Sequence, residues 1–231
     1  MSVVQEQTVL SKIRERGHWR VVIRPITFRK DRVEYAELFR IVEQNAVRLH
    51  TWDYPVVERD QETRNGVDWI EQDFQFQERL EVWRLYQSGQ FVHYFPLAAE
   101  WRELSPYCLP DPDLAPGRRV YFLNAIDSLR EIYEFAARLS MSPAGDVEMF
   151  VETLMVSLQD RRLSTLSIYN PDGRIFTTDQ STWERQWSGP RTELITRPRD
   201  LAAIATRDFF SRFGLDLSVE TIRSLQDRIG R

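Results

Sequence analysis

The chain has 231 residues, a formal net charge of −4, 42% hydrophobic residues and 12% aromatic residues, too apolar for disorder and enough for one large or two small folded domains. The acidic balance supplies no global field for a phosphate backbone, which weighs against dedicated nucleic-acid binding. No run approaches the roughly 20 apolar residues needed to cross a bilayer, and the start lacks the basic-then-apolar order of a secretory signal, so no membrane partner is expected.

A single cysteine, Cys108, cannot form an intramolecular disulfide, and a reducing, cytoplasmic location is expected. Only Lys12 and Lys30 are lysines, so arginine supplies nearly all the positive charge. Arginine suits bidentate contact with carboxylates or phosphates and stacking at interfaces, although a genome rich in G and C produces the same bias.

In chain order, His18 to Pro25 alternates as a half-buried strand does, with Trp19, Val21 and Ile23 on one side and His18, Arg20 and Arg24 on the other. Asp31 is placed to cap a helix carrying Tyr35, Leu38, Phe39, Val42 and Ala46 at spacings of three and four. Val47 to Val57 is rich in β-branched and aromatic residues, and the polar stretch Glu58 to Gly66, with its Asn-Gly pair, predicts a hairpin turn or short loop flanked by strands. Trp69 to Phe76 again alternates, with Ile70, Phe74 and Phe76 opposite Trp69, Glu71, Asp73 and Gln75.

Glu81 to Leu97 reads as a hairpin with Ser88-Gly89 at its tip. A two-residue turn would pair Leu85 with Val92 and Trp83 with Tyr94 on one face, and Tyr86 with Phe91, Arg84 with His93 and Val82 with Phe95 on the other. Both faces are apolar enough for a central position in a sheet, or for an interface on the second side. Tyr107 to Arg119 holds three prolines and a glycine without periodicity and predicts a linker. The expected organisation is therefore α+β, with small α/β modules at 1–106 and 120–231 joined through 107–119, hairpins packed on helices, and a C-terminal helical pair.

Beyond the linker, Ile126, Leu129, Ile132, Tyr133, Ala136 and Leu139 form a helical stripe. Asp146 to Leu158 is open between helix and buried strand, its periodicity favouring helix. Leu163 to Tyr169 and Arg174 to Thr177, separated by Asn-Pro-Asp-Gly, predict a second hairpin. The stretch up to Pro190 reads as an irregular arm exposing Trp183 and Trp187. A helix carrying Leu201, Ile204, Ala205, Phe209 and Phe213 stops at Gly214, and Ser218 caps a last one bearing Val219, Ile222, Leu225 and Ile229.

Tests for chemistry return no catalytic residue, metal site or cofactor. The glycine spacings of a P-loop and of a dinucleotide fingerprint do not occur. Ser88 lacks the first glycine of a nucleophile elbow and lies in a turn. Cys108 has no helix N-terminus to lower its pKa, and His18, His50 and His93 are scattered without ligand spacing. Glu71 and Asp73 share a strand face and could hold a divalent metal for hydrolysis of a phosphodiester, but no neighbouring lysine accompanies them. Arginines interleaved with aromatic residues could stack bases or anchor a protein; Arg20, Arg24, Arg84, Tyr86, His93, Trp183 and Trp187 are the candidate binding residues.

The strings VWRLYQSGQFVHY (82–94), EIYEFAARLSMS (131–142), DRRLST (160–165) and LAAIATRDFFSRFGLDLSVETIRSLQ (201–226) resemble a region of bacterial Schlafen-like, Alba-type DNA-binding proteins and defence-associated ATPases. The resemblance covers about half the chain. It implies an accessory α+β module in which Asp146 to Leu158 is a strand, and a chain without the Schlafen-type domain, so that no nuclease or nucleotide chemistry carries over to any residue. The expected function is a non-enzymatic accessory subunit or sensor of a phage-defence-like system, with a larger ATPase or nuclease as protein partner. Nucleic-acid binding is the first alternative and a metal-dependent hydrolase the second.

Overall fold

The computed structural model describes residues 7–49, 52–102, 114–115 and 117–229. In chain order the elements are α1 (Val9–Arg14), β1 (His18–Pro25), α2 (Leu38–Asn45), β2 (Arg64–Asn65), β3 (Trp69–Phe76), β4 (Arg79–Tyr86), β5 (Phe91–Pro96) and α3 (Ala98–Arg102). They continue with β6 (Arg119–Tyr121), α4 (Phe122–Met141), β7 (Glu148–Val156), β8 (Arg162–Ser164), β9 (Phe176–Thr177), β10 (Thr182–Pro190), α5 (Arg191–Thr196), α6 (Pro198–Ser211) and α7 (Val219–Ile229).

The architecture is mixed α+β. Seven antiparallel strands form one sheet in the order β10-β7-β1-β5-β4-β3-β2, and β6-β8-β9 form a small second sheet. Strand alternation drives Trp19, Val21 and Ile23 of β1, Trp83 and Leu85 of β4, Phe91 of β5 and Met149, Val151 and Met155 of β7 into one continuous core. Against it lies α4, whose stripe Ile126, Leu129, Ile132, Tyr133, Ala136 and Leu139 is buried as its spacing predicts. At about 1.5–3 kcal/mol for each large apolar side chain removed from water, this stripe alone makes α4 a principal stabilising element. α5, α6 and α7 pack on α4. Gly214, at φ +81°, terminates α6 as expected, and Ser218 Oγ accepts the Thr221 N–H at 3.1 Å to cap α7.

The division at 107–119 does not separate two cores. β7 pairs with β1 along its whole length, from His18 opposite Val156 to Pro25 opposite Met149, so residues from both sides of that segment build one sheet and one core. Residues 107–113 and 116 themselves lie outside the described residues.

Other expectations are corrected locally. Asp31 caps no helix: the Val33 N–H bonds the Gln87 carbonyl at 2.9 Å, tying this segment to the β4–β5 turn, and α2 begins only at Leu38 after a 3-10 turn. Between Val47 and Val57 a lone bridge joins Val47 to Tyr54, and the strand pairing expected beyond it shrinks to Arg64 and Asn65. The predicted second hairpin reduces to β8 and β9, two short antiparallel strands.

The β4–β5 hairpin slips by one residue. Val82 faces Tyr94, Trp83 faces His93, Arg84 faces Val92 and Leu85 faces Phe91, because the loop has three residues, Gln87 to Gly89, with Gly89 at φ +85°. The slip places Trp83, Leu85, Phe91 and His93 together on the inner face.

Asp146 to Leu158 holds strand β7, not a helix. Phe150, Leu154 and Val156 are only half-buried on its outer side while Met149, Val151 and Met155 are buried on the inner. Apolar residues on both faces of a strand leave matches at every short spacing, and a helical period emerges by coincidence. The expected irregular arm before Pro190 is strand β10, paired with β7 throughout.

Candidate functional site

The helices cover the inner face of the large sheet, and the outer face is only partly covered. Short helix α1 lays Val9, Leu10 and Ile13 on Leu80, Val82 and Tyr94 at one end. Beyond it His18 and Glu71 are buried, Arg20, Val22, Phe150, Glu152 and Leu154 are half-buried, and Glu184, Gln186 and Ser188 are exposed.

Strand register brings its side chains into rows. Glu184, Leu154, Arg20, Tyr94 and Val82 lie side by side across β10, β7, β1, β5 and β4. The next row is Gln186, Glu152, Val22, Val92, Arg84 and Glu71, followed by Ser188, Phe150 and Arg24 and, on the far strands, Tyr86 beside Trp69. Four of the sequence-predicted residues, Arg20, Arg24, Arg84 and Tyr86, therefore share one surface.

Guanidinium groups lie over rings across this face. Arg84 sits 4.0 Å from the centre of the Trp69 ring, Arg24 4.5 Å from that of Phe150, and Arg14 of α1 5.3 Å from that of Tyr94. Arg84 also donates from Nε to Glu71 Oε2 at 3.0 Å and from Nη1 to the Tyr86 hydroxyl at 3.1 Å. Partial burial works against its charge, but the Tyr86 and Glu71 contacts more than offset this and hold its pKa above the ordinary arginine value.

Most of the arginine charge is balanced within the surface. Arg20 pairs with Glu152, and Arg64 reaches Glu71 at 2.9 Å and Asp73 at 2.8 Å. Glu71 and Asp73 thus do share a face, as their spacing predicts, but arginines occupy them. Among the described residues no group of three His, Cys, Asp or Glu side chains is arranged to hold a metal ion. Arg24 differs: among the described residues it has no carboxylate partner and reaches only the Pro25 carbonyl, at 3.2 Å.

The remaining candidates lie elsewhere. His93 is on the inner face, fully buried, with Nε2 3.3 Å from Glu81 Oε2 in an orientation that makes no hydrogen bond. Trp183 is not exposed: it is buried edge-on to Trp19 and against Phe209, and its indole N–H donates to Asp208 at 2.8 Å. Trp187 is half-buried against the same core. His18 is buried at one end of the outer face, where desolvation lowers its pKa although Nδ1 lies 2.8 Å from the Arg16 carbonyl. His50 and Cys108 lie outside the described residues.

Sequence reasoning missed Phe150, Glu152 and Leu154 because a helical reading of their segment separates them. Their i, i+2 spacing was the available signal. Arg14 was passed over because nothing in a polar lead announces where a six-residue helix will pack. No protein-family model, curated protein or solved structure matches the chain.

Proposed function

We propose that this chain is a non-enzymatic accessory protein whose open sheet face docks another protein. The observation that carries this reading is the half-exposed surface in which Val22, Phe150 and Leu154 lie between guanidinium groups stacked on rings. Aromatic and arginine anchors surrounded by aliphatic contacts are the usual source of binding energy at protein interfaces. Internal pairing of Arg20, Arg64 and Arg84 with Glu152, Glu71 and Asp73 leaves little excess charge to attract a polyanion. Arg24 fits a carboxylate on the partner. The resemblance over residues 82–94, 131–142, 160–165 and 201–226 supports a place as subunit or sensor beside a larger ATPase or nuclease in a defence-like system.

The test compares tagged wild-type protein with Arg24→Glu and Leu154→Lys variants, purified from the native host at moderate salt and checked for fold by circular dichroism. A stoichiometric protein retained by wild type and lost by both folded variants is the expected result. Retention by both variants would remove this face from the interaction. Recovery of nucleic acid alone, released steeply by salt, would replace the protein reading with the nucleic-acid alternative.

A further inference from the structure

The two ends of the large sheet are finished differently. At one end β3 is closed off by the two residues of β2 and then by Gln61, whose side chain donates to the Asp73 carbonyl at 2.5 Å. At the other end stands β10, nine residues long and paired with β7 on one side.

The ladder shows which backbone groups β10 leaves open. Arg191, one residue past the strand, donates its N–H to the Val147 carbonyl at 2.8 Å, in register with the pairing of Pro190 opposite Glu148. Antiparallel residues alternate between bonding a neighbouring strand and pointing away from it, so Trp183, Arg185, Trp187 and Gly189 are the residues that bond β7. The N–H and C=O groups of Glu184, Gln186 and Ser188 point to the open edge, and among the described residues nothing bonds them. Their side chains are exposed as well. A long edge is a template for another strand unless it is kept short, bulged, or guarded by lysine or proline. β10 carries no lysine, and its proline stands only at the last position.

The residues of β10 suit a second copy of the same strand. Paired antiparallel across a two-fold axis, the strand sets one residue opposite its own copy. Centring on Glu184 brings two carboxylates face to face and centring on Arg185 two guanidinium groups, both unfavourable. Centring on Trp187 or Ser188 shortens the overlap and draws Pro190, which has no N–H, opposite Glu184 or Gln186. Centring on Gln186, the middle of the strand, overlaps its full length and opposes no like charges. It sets Gln186 opposite Gln186 and Glu184 opposite Ser188, so the open backbone groups of both copies bond each other. On the inner side it sets Arg185 opposite Trp187 of the second copy, a guanidinium beside an indole.

We propose that two copies of this chain join edge to edge through β10, with Gln186 opposite Gln186, into one continuous sheet. The two-fold axis stands perpendicular to that sheet, so the outer faces of both copies lie on the same side. This pairing goes beyond the docking reading and does not depend on it.

Sedimentation velocity and light scattering of the full chain at micromolar concentrations should give about twice the 27.5 kDa of one copy. Gln186→Glu places two carboxylates together at the axis and should weaken association by about tenfold or more. A fluorescently labelled Gln186→Glu chain should recover dimeric sedimentation when mixed with Gln186→Lys, because only at the axis does a residue face its own copy. Ser188→Pro removes an N–H that β7 does not use, at a position where a strand tolerates proline, and should leave a folded monomer. It keeps the test usable should Gln186→Glu not fold. Arg24→Glu, on β1 and away from the edge, should remain dimeric, so failure of this pairing and failure of the docking face are told apart. A monomeric wild type would overturn the proposal, even if the edge accepts a strand of another protein. So would a dimer indifferent to both Gln186→Glu and Ser188→Pro, or a labelled Gln186→Glu chain that Gln186→Lys does not rescue.

Discussion

Single side chains account for much of what holds this molecule together. Trp183 fills the seam between β10 and α6, so Trp183→Ala should cost about 3–5 kcal/mol in denaturant unfolding, the usual price of an aromatic cavity plus a lost partner for Asp208. Tyr54→Phe should behave oppositely, stabilising by about 1 kcal/mol at neutral pH, since it removes a buried hydroxyl that has no hydrogen-bond partner among the described residues. Tyr54 titrates above its ordinary value of 10.0 in the folded chain, so its contribution is complete below pH 10.0 and is lost as pH rises through the higher folded value. The wild type should therefore lose stability in alkali more steeply than Tyr54→Phe, with Tyr133, pushed up to about 12 by burial, adding a similar loss in both. Glu81 has the opposite sign. Burial raises its pKa, but Arg79 and His93 outweigh that and hold it below 4.5; its contribution is present above pH 4.5 and lost as pH falls through the lower folded value. Glu81→Gln should show a shallower acid limb than wild type in denaturation followed by circular dichroism. These roles were only half legible in the sequence. Arg20, Arg24, Arg84 and Tyr86 could be placed on an outer face by alternation alone, whereas the neighbours of Trp183 and Tyr54 come from distant segments that no local pattern connects.

At the scale of elements, β1, β3, α4, α6 and α7 follow from periodicity and caps, because each has one plainly apolar side. β7 and β10 did not, β7 because both its faces are apolar and β10 because its outer positions, Glu184, Gln186 and Ser188, are polar enough to read as loop. The β4–β5 hairpin shows how much depends on one residue of loop length: its slip carried His93 from the outer face to the inner face beside Glu81. The turn enforces that register. A Cβ on Gly89 would lie 2.3 Å from the Ala144 carbonyl oxygen, at a φ that side chains seldom adopt. Gly89→Ala should destabilise by about 1–3 kcal/mol and broaden the amide spectrum of the hairpin, measured by urea unfolding and NMR.

On the scale of the whole molecule, the shared sheet predicts one unfolding transition, coincident by circular dichroism and tryptophan fluorescence, and two separable transitions would show instead that the halves fold alone. The central place of β1 also has a consequence for how the chain comes off the ribosome. β1 is synthesised before either of its flanking strands: β5 follows only after α2 and three further strands, and β7 only after α4. Until then one backbone edge of β1 is bare, open to pairing with another nascent chain. A protein truncated after β5 should accordingly self-associate, and supplying residues 117–229 as a separate chain should rescue it by restoring the missing neighbour.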